Sequence, residues 1–120
     1  MIARGRGVVV NVSTAAASAG LPGAPVYGAT KAALESLTRS WAAAFGHHGV
    51  RVNAVAPGPT RTDAALDILG DGVDELGSKT ALGRAASARE IAEAIVFSAS
   101  SRASYLTGAT LAVDGGYSLK

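Results

Sequence analysis

The sequence predicts an α/β fold with a parallel sheet of about three strands and two long helices. Two short apolar runs rich in β-branched residues, 8–12 and 50–56, read as strands buried on both faces. Between them, from about residue 26 to residue 46, apolar side chains recur at helical spacing. Strand, long helix, strand is the βαβ pattern, which implies parallel pairing and a right-handed crossover.

Each element has its own local reason. Gly5-Arg6-Gly7 is a breaker ahead of the first strand, and residues 13–25, rich in Ala, Gly, Ser and Pro, read as a loop. The long helix closes at Gly46-His47-His48-Gly49, with glycine as the expected C-terminal signal and the two histidines suiting the negative end of the helix dipole. The second strand is ended abruptly by Pro57-Gly58-Pro59. Glycines at 70, 72, 77 and 83 interrupt two short apolar turns, 64–69 and 73–76, so residues 60–86 read as a mobile segment with broken helices. Ser87-Ala88-Arg89-Glu90 forms a capping box that opens the second long helix. Ile91, Ala94, Ile95 and Ser98 continue it at helical spacing to about Ser100. Residues 110–113 form a last short strand, and Asp114-Gly115-Gly116 is a turn.

Composition narrows the function classes. The chain has 120 residues, 48% apolar and 17% charged, enough for one small domain and too apolar for disorder. A net charge of +2 without any basic cluster gives no nucleic-acid footprint. Cysteine is absent, which excludes disulfides, thiolate chemistry and cysteine metal sites. No apolar run reaches the roughly 18 residues of a membrane span, and residues 1–6 have no signal-peptide core. A soluble, cytoplasmic protein is the expectation, with no metal, no nucleic acid and no membrane partner.

The pattern with chemical content is Tyr27-Gly28-Ala29-Thr30-Lys31 at the start of the long helix. A tyrosine and a lysine at i and i+4 lie one above the other on a helical face. A free phenol, with a pKa of about 10, is a poor base at neutral pH, but an ammonium held close favours the phenolate. Tyr-x-x-x-Lys can therefore act as a proton donor and acceptor. At helical spacing Tyr27, Lys31, Leu34, Thr38, Trp41 and Phe45 share one sector, so the pair is expected on the face that the apolar residues bury.

Four motifs stand in order along the chain: Gly7-Val8-Val9-Val10-Asn11-Val12-Ser13-Thr14, then Tyr27 to Lys31, then Val50-Arg51-Val52-Asn53-Ala54-Val55-Ala56-Pro57-Gly58, then Val113-Asp114-Gly115-Gly116. Together they resemble the short-chain dehydrogenase/reductase family, and within it the group that includes the 3-oxoacyl-carrier-protein reductases. The likeness runs from about Gly5 to Tyr117. It implies the C-terminal half of a doubly wound, parallel-sheet Rossmann-type fold, with Met1-Ile2-Ala3-Arg4 as the last turn of a preceding helix and a fragment or an internal start as the origin of the chain. No Gly-x-Gly-x-x-Gly follows either early strand, so the turn that cradles a cofactor pyrophosphate is expected outside this sequence.

The resemblance also implies roles. Tyr27 matches the tyrosine that passes a proton to or from the substrate oxygen. Lys31 matches the lysine that holds the nicotinamide ribose hydroxyls. Thr14 falls where the family usually has a serine that hydrogen-bonds the substrate oxygen, a mild departure that keeps the hydroxyl. Ser13 is the less favoured candidate, and a loop hydroxyl satisfying local backbone is the plainer reading of Thr14. Pro57 and Gly58 match the turn beside the nicotinamide, where missing bulk lets a ligand approach the backbone. Thr62 matches a cofactor-contacting threonine, with a helix N-cap at Asp63 as the competing reading. Asn11 and Asn53 are expected to satisfy backbone near strand ends.

The cofactor implied is NAD or NADP, the choice resting with residues near a strand not present here. Residues 60–86 would be the substrate lid, or a floppy connector. The implied activity is hydride transfer between nicotinamide and a carbonyl/alcohol pair, with homo-oligomerisation through helix 26–46, where small residues allow close helix approach. Two other readings stay open: dehydration or epimerisation with the same Tyr/Lys pair, and a non-enzymatic association module whose strand 8–12 exposes an unpaired edge.

Overall fold

The computed structural model describes residues 1–119. Its elements are β1 (Gly7–Val12), α1 (Pro25–Phe45), β2 (Val50–Pro57), β3 (Thr60–Arg61), α2 (Asp63–Leu69), α3 (Gly72–Ser78), β4 (Ala86–Ser87), α4 (Ala88–Ala99) and β5 (Thr110–Val113), with short 3-10 turns between several of them. β1, β2 and β5 form one parallel sheet in the order β1-β2-β5. The α/β class, the three parallel strands and the two long helices expected from the sequence are all present.

β2 is central because it is the strand that can be buried on every side. Val52, Asn53, Ala54 and Val55 are all fully buried. Its side chains alternate between faces. Val50 and Val52 pack with Val9, Trp41, Ala42 and Phe45, which sets α1 on that face. Arg51 and Asn53 point the other way. The Arg51 guanidinium donates to the carbonyls of Ser98, Ser100 and Leu106 and so closes the C-terminal end of α4. Helices on both faces make the sheet doubly wound.

Some expectations need correction. β1 is half-buried rather than sealed on both faces, because only one of its edges is paired, with β2. The glycine stop expected after α1 is reached in two steps, with Gly46 capping α1 and Gly49 capping the turn beyond it. Gly46 keeps helical angles, a 3-10 turn follows, and Gly49 takes φ 74°. A Cβ at Gly49 would also lie 2.1 Å from the Gly5 carbonyl oxygen. Asn53 does satisfy backbone, donating to the Leu106 carbonyl and accepting from the Ala109 N–H. Asn11 instead donates to the Thr38 side chain on α1 at 2.9 Å.

Residues 60–86 are more ordered than their glycines suggest. α2 and α3 occupy the two apolar turns. The base of the segment is clasped by β3 and β4, which pair Thr60 with Ala86 and Arg61 with Ser87. Arg61 is ion-paired with Asp74 of α3. At the far end Arg84 makes a two-pronged pair with Glu90, at 2.6 and 3.0 Å, beside the Ser87–Glu90 capping box. The Arg84 guanidinium, with the Ser87 backbone N–H, draws the Glu90 carboxyl down to about 2.

Two outcomes follow from this packing. Gly49→Ala should lower stability by about 2 kcal/mol or more, read as a reduced urea midpoint, since it combines left-handed strain with a backbone clash. Because Glu90 has a depressed carboxyl pKa, its stabilisation is present above the ordinary value of 4.5 and is lost as pH falls towards about 2. Thermal melts across that window should show a shallower acid decline in Glu90→Gln, and added salt should shrink the difference, because the pair is exposed.

Candidate active site

The sequence-predicted residues meet at the C-terminal ends of β1 and β2. Thr14, Tyr27, Lys31, Pro57, Gly58 and Thr62 all line one cavity of about 480 Å³. In open α/β sheets this end is where ligands bind, and the volume is in the range of small-molecule sites.

α1 delivers the pair from above the sheet. Pro25 sits in its first turn, where a missing N–H costs nothing. The helix face that carries Tyr27 and Lys31 is buried only further along, at Thr38 and Ala42. Its first turns rise past the end of β1, so Tyr27 is 47% exposed and Lys31 half-buried, both towards the cavity. The expectation of a pair sunk in the apolar face is corrected to a pair on the rim. Lys31 Nζ donates to the Val12 carbonyl at 2.9 Å and stands 5.9 Å from the centre of the Tyr27 ring. An ammonium has three donors, so two remain after the bond to Val12. Among the described residues no protein group is hydrogen-bonded to the Tyr27 hydroxyl.

Thr14 and Ser13 separate clearly. Ser13 is 3% exposed, and its hydroxyl donates to Glu35 Oε1 at 2.6 Å. Thr14 caps the 3-10 turn Ala15–Ala17, its Oγ1 accepting from the Ala16 N–H at 3.3 Å. That bond uses an oxygen lone pair and leaves the hydroxyl proton available to a ligand. Local capping and cavity lining therefore coexist at Thr14. The same holds at Thr62, whose Oγ1 accepts from the Ala65 N–H at the start of α2 while the residue faces the cavity. Gly58 has a reason of its own for lacking a side chain: a Cβ there would lie 2.7 Å from the Asp114 backbone.

The sequence reading overlooked part of the wall. Tyr117, Leu21, Leu69, Val73 and Leu76 also line the cavity, and among the described residues its only charged lining residue is Lys31. Tyr117 is carried back by Gly115 and Gly116, at φ 62° and 80°. The Asp114 carboxylate fixes that turn by accepting from the Gly116 N–H and from the Ser118 N–H and hydroxyl. Burial pushes the Asp114 carboxyl up, but these bonds outweigh it and hold it below the usual range. The Asp-Gly-Gly signal was visible, although the element it folds back against was not. Among the described residues no cluster of His, Asp or Glu could hold a metal, and no helix is long and apolar enough to cross a membrane.

Residues 1–118 match the family model described as enoyl-(acyl carrier protein) reductase. The cis-4-hydroxycyclohexanecarboxylate dehydrogenase of Sinomonas cyclohexanicum is 44% identical over 117 residues, which cover 98% of this chain and 47% of that protein. A solved short chain dehydrogenase/reductase family protein superimposes with a TM-score of 0.93 at 57% identity, over 100% of this chain and 49% of its own. A gluconate 5-dehydrogenase from Burkholderia cenocepacia J2315, solved in complex with NADP and tartrate, gives 0.89 at 34% identity, over 99% of this chain and 48% of its own. The chain thus spans about half the length of these relatives.

Proposed function

The chain belongs to the short-chain dehydrogenase/reductase family, and on that premise we propose that the whole protein is an NAD- or NADP-dependent oxidoreductase acting on a small carbonyl/alcohol pair. The observation that carries this reading is the convergence of Thr14, Tyr27 and Lys31 on one cavity at the strand ends.

The residues present fit the nicotinamide end of such a cofactor. Lys31 offers two free donors to ribose hydroxyls, Thr62 adds a hydroxyl, and Pro57 and Gly58 present a flat wall at the tip of the central strand. When bound, the cofactor would supply the hydride chemistry. The chain's own residues handle the proton and the charge. Tyr27 gives its phenolic proton to the carbonyl oxygen in reduction, or takes it from the alcohol in oxidation. Lys31, held in place by the Val12 carbonyl, places a positive charge one helical turn away, where it offsets negative charge growing on the phenol oxygen. Thr14 donates its remaining proton to the same substrate oxygen.

The apolar wall of Leu21, Leu69, Val73 and Leu76 suits a substrate whose non-reacting part is apolar, and residues 60–86 serve as its lid. Self-association through α1 is part of the same reading. Val26 and Leu37 are 73% and 45% exposed on a helix surface otherwise rich in alanine and serine.

In the whole protein, Tyr27→Phe should reduce the turnover of carbonyl substrates by at least about a hundredfold, in line with the loss of a general acid, while fluorescence titration shows unchanged cofactor affinity. Retained turnover would remove Tyr27 from the chemistry. The 120-residue chain alone, which contains no glycine-rich phosphate turn, should show no low-micromolar binding of NAD or NADP by calorimetry.

A further inference from the structure

Three successive residues at the end of β1 each hold α1 by a different bond. Asn11 Nδ2 donates to Thr38 Oγ1 at 2.9 Å, Lys31 Nζ donates to the Val12 carbonyl at 2.9 Å, and Ser13 Oγ donates to Glu35 Oε1 at 2.6 Å. On the helix, residues 31, 35 and 38 follow one another along a single face. On the strand, Asn11 and Ser13 point to that face and Val12 offers its backbone oxygen. The result is a polar ladder in which the Lys31–Val12 rung belongs to the site, the Ser13–Glu35 rung touches its wall at Ser13, and the Asn11–Thr38 rung lies outside it.

Of the outer rungs, Ser13–Glu35 lies next to the reacting groups. Ser13 is fixed from both sides, because its N–H also donates to the Val55 carbonyl at 2.7 Å. Thr14 follows it directly and starts the 3-10 turn. A carboxylate accepting from a buried hydroxyl makes a short, charge-assisted bond. Without it, the junction after β1 would keep its attachment to β2 and the close approach of Ala16 to Gly28, but lose its side-chain hydrogen bond to α1, the helix that carries Tyr27 and Lys31.

We propose that Glu35 is a positioning residue: through Ser13 it sets the place of the Thr14 hydroxyl relative to Tyr27 and Lys31. The proposal rests on the oxidoreductase reading above only for its effect on turnover. Its structural half stands on the hydrogen bonds alone. Glu35 touches neither substrate nor cofactor in this account. It acts by adding, at the site end of the ladder, a third hydrogen bond between two elements that also meet through Lys31, Asn11 and the apolar packing of Val9 with Trp41 and Phe45.

The test has two arms. In the 120-residue chain, hydrogen exchange of the Ala16 amide, which donates to Thr14 Oγ1, should quicken in Ser13→Ala and Glu35→Leu relative to the β2 amides, and stay at the parent rate in Glu35→Gln, which keeps the acceptor oxygen. In the whole protein, Glu35→Leu and Ser13→Ala should lower kcat by between about tenfold and a hundredfold with little change in KM, as expected when reacting groups are displaced. Glu35→Gln should restore kcat, and in a Thr14→Ala background Glu35→Leu should have no further effect.

Unchanged Ala16 exchange in both Ser13→Ala and Glu35→Leu would overturn the proposal. So would an equal loss of kcat in the Thr14→Ala background, which would mark Glu35 as a general packing residue. Failure of the whole protein to turn over any carbonyl or alcohol would sink the oxidoreductase reading instead, and the exchange arm would still decide whether Glu35 positions Thr14.

Discussion

Everything in this molecule is arranged around a strand whose middle, Val52 to Val55, has no contact with water. β2 pairs in parallel on both edges and is covered by α1 on one face and α4 on the other. Its fully buried stretch includes one polar side chain, Asn53, and both polar ends of that amide are bonded to backbone on the way into β5. A buried amide left unpaired would be costly, so Asn53 dictates where the chain must return. The strand thereby fixes its neighbours, and its end at Pro57 and Gly58 becomes the floor of the cavity.

Much of this was legible because the responsible signals are local. The β-branched runs, the capping box at Ser87 and the turn at Asp114-Gly115-Gly116 specify their elements without reference to the rest of the chain. What was not legible depends on partners distant in sequence. That a side chain is excluded at Gly49 depends in part on the close passage of Gly5, 44 residues earlier. The two-residue ladder between β3 and β4 is too short to leave a periodic signal. Asn11 could not be told from Asn53 by sequence position, yet one bonds a helix side chain and the other bonds backbone.

The site divides in the same way. Tyr27 and Lys31 are read from a single helical spacing and lie where that spacing places them. Their exposure could not be read, because it depends on how far α1 overshoots the end of β1. Thr14 and Thr62 show why functional and structural readings of a hydroxyl need not compete: each accepts a backbone bond and still has a proton to give. Gly58 teaches the opposite lesson. Its lack of a side chain is explained by Asp114 before any ligand is considered.

The clasp at residues 60–61 and 86–87 has a consequence for how such a protein can change. Its two strands bring the entry and exit of the intervening segment side by side, so the ends are joined whatever lies between them. The entropic cost of a longer loop grows only slowly with its length, and the central sheet does not register the addition. A cassette stitched at its neck in this way can be lengthened, shortened or exchanged wholesale while the proton-handling groups beneath it stay put. Diversification of what the cavity admits is therefore mechanically uncoupled from preservation of what happens inside it.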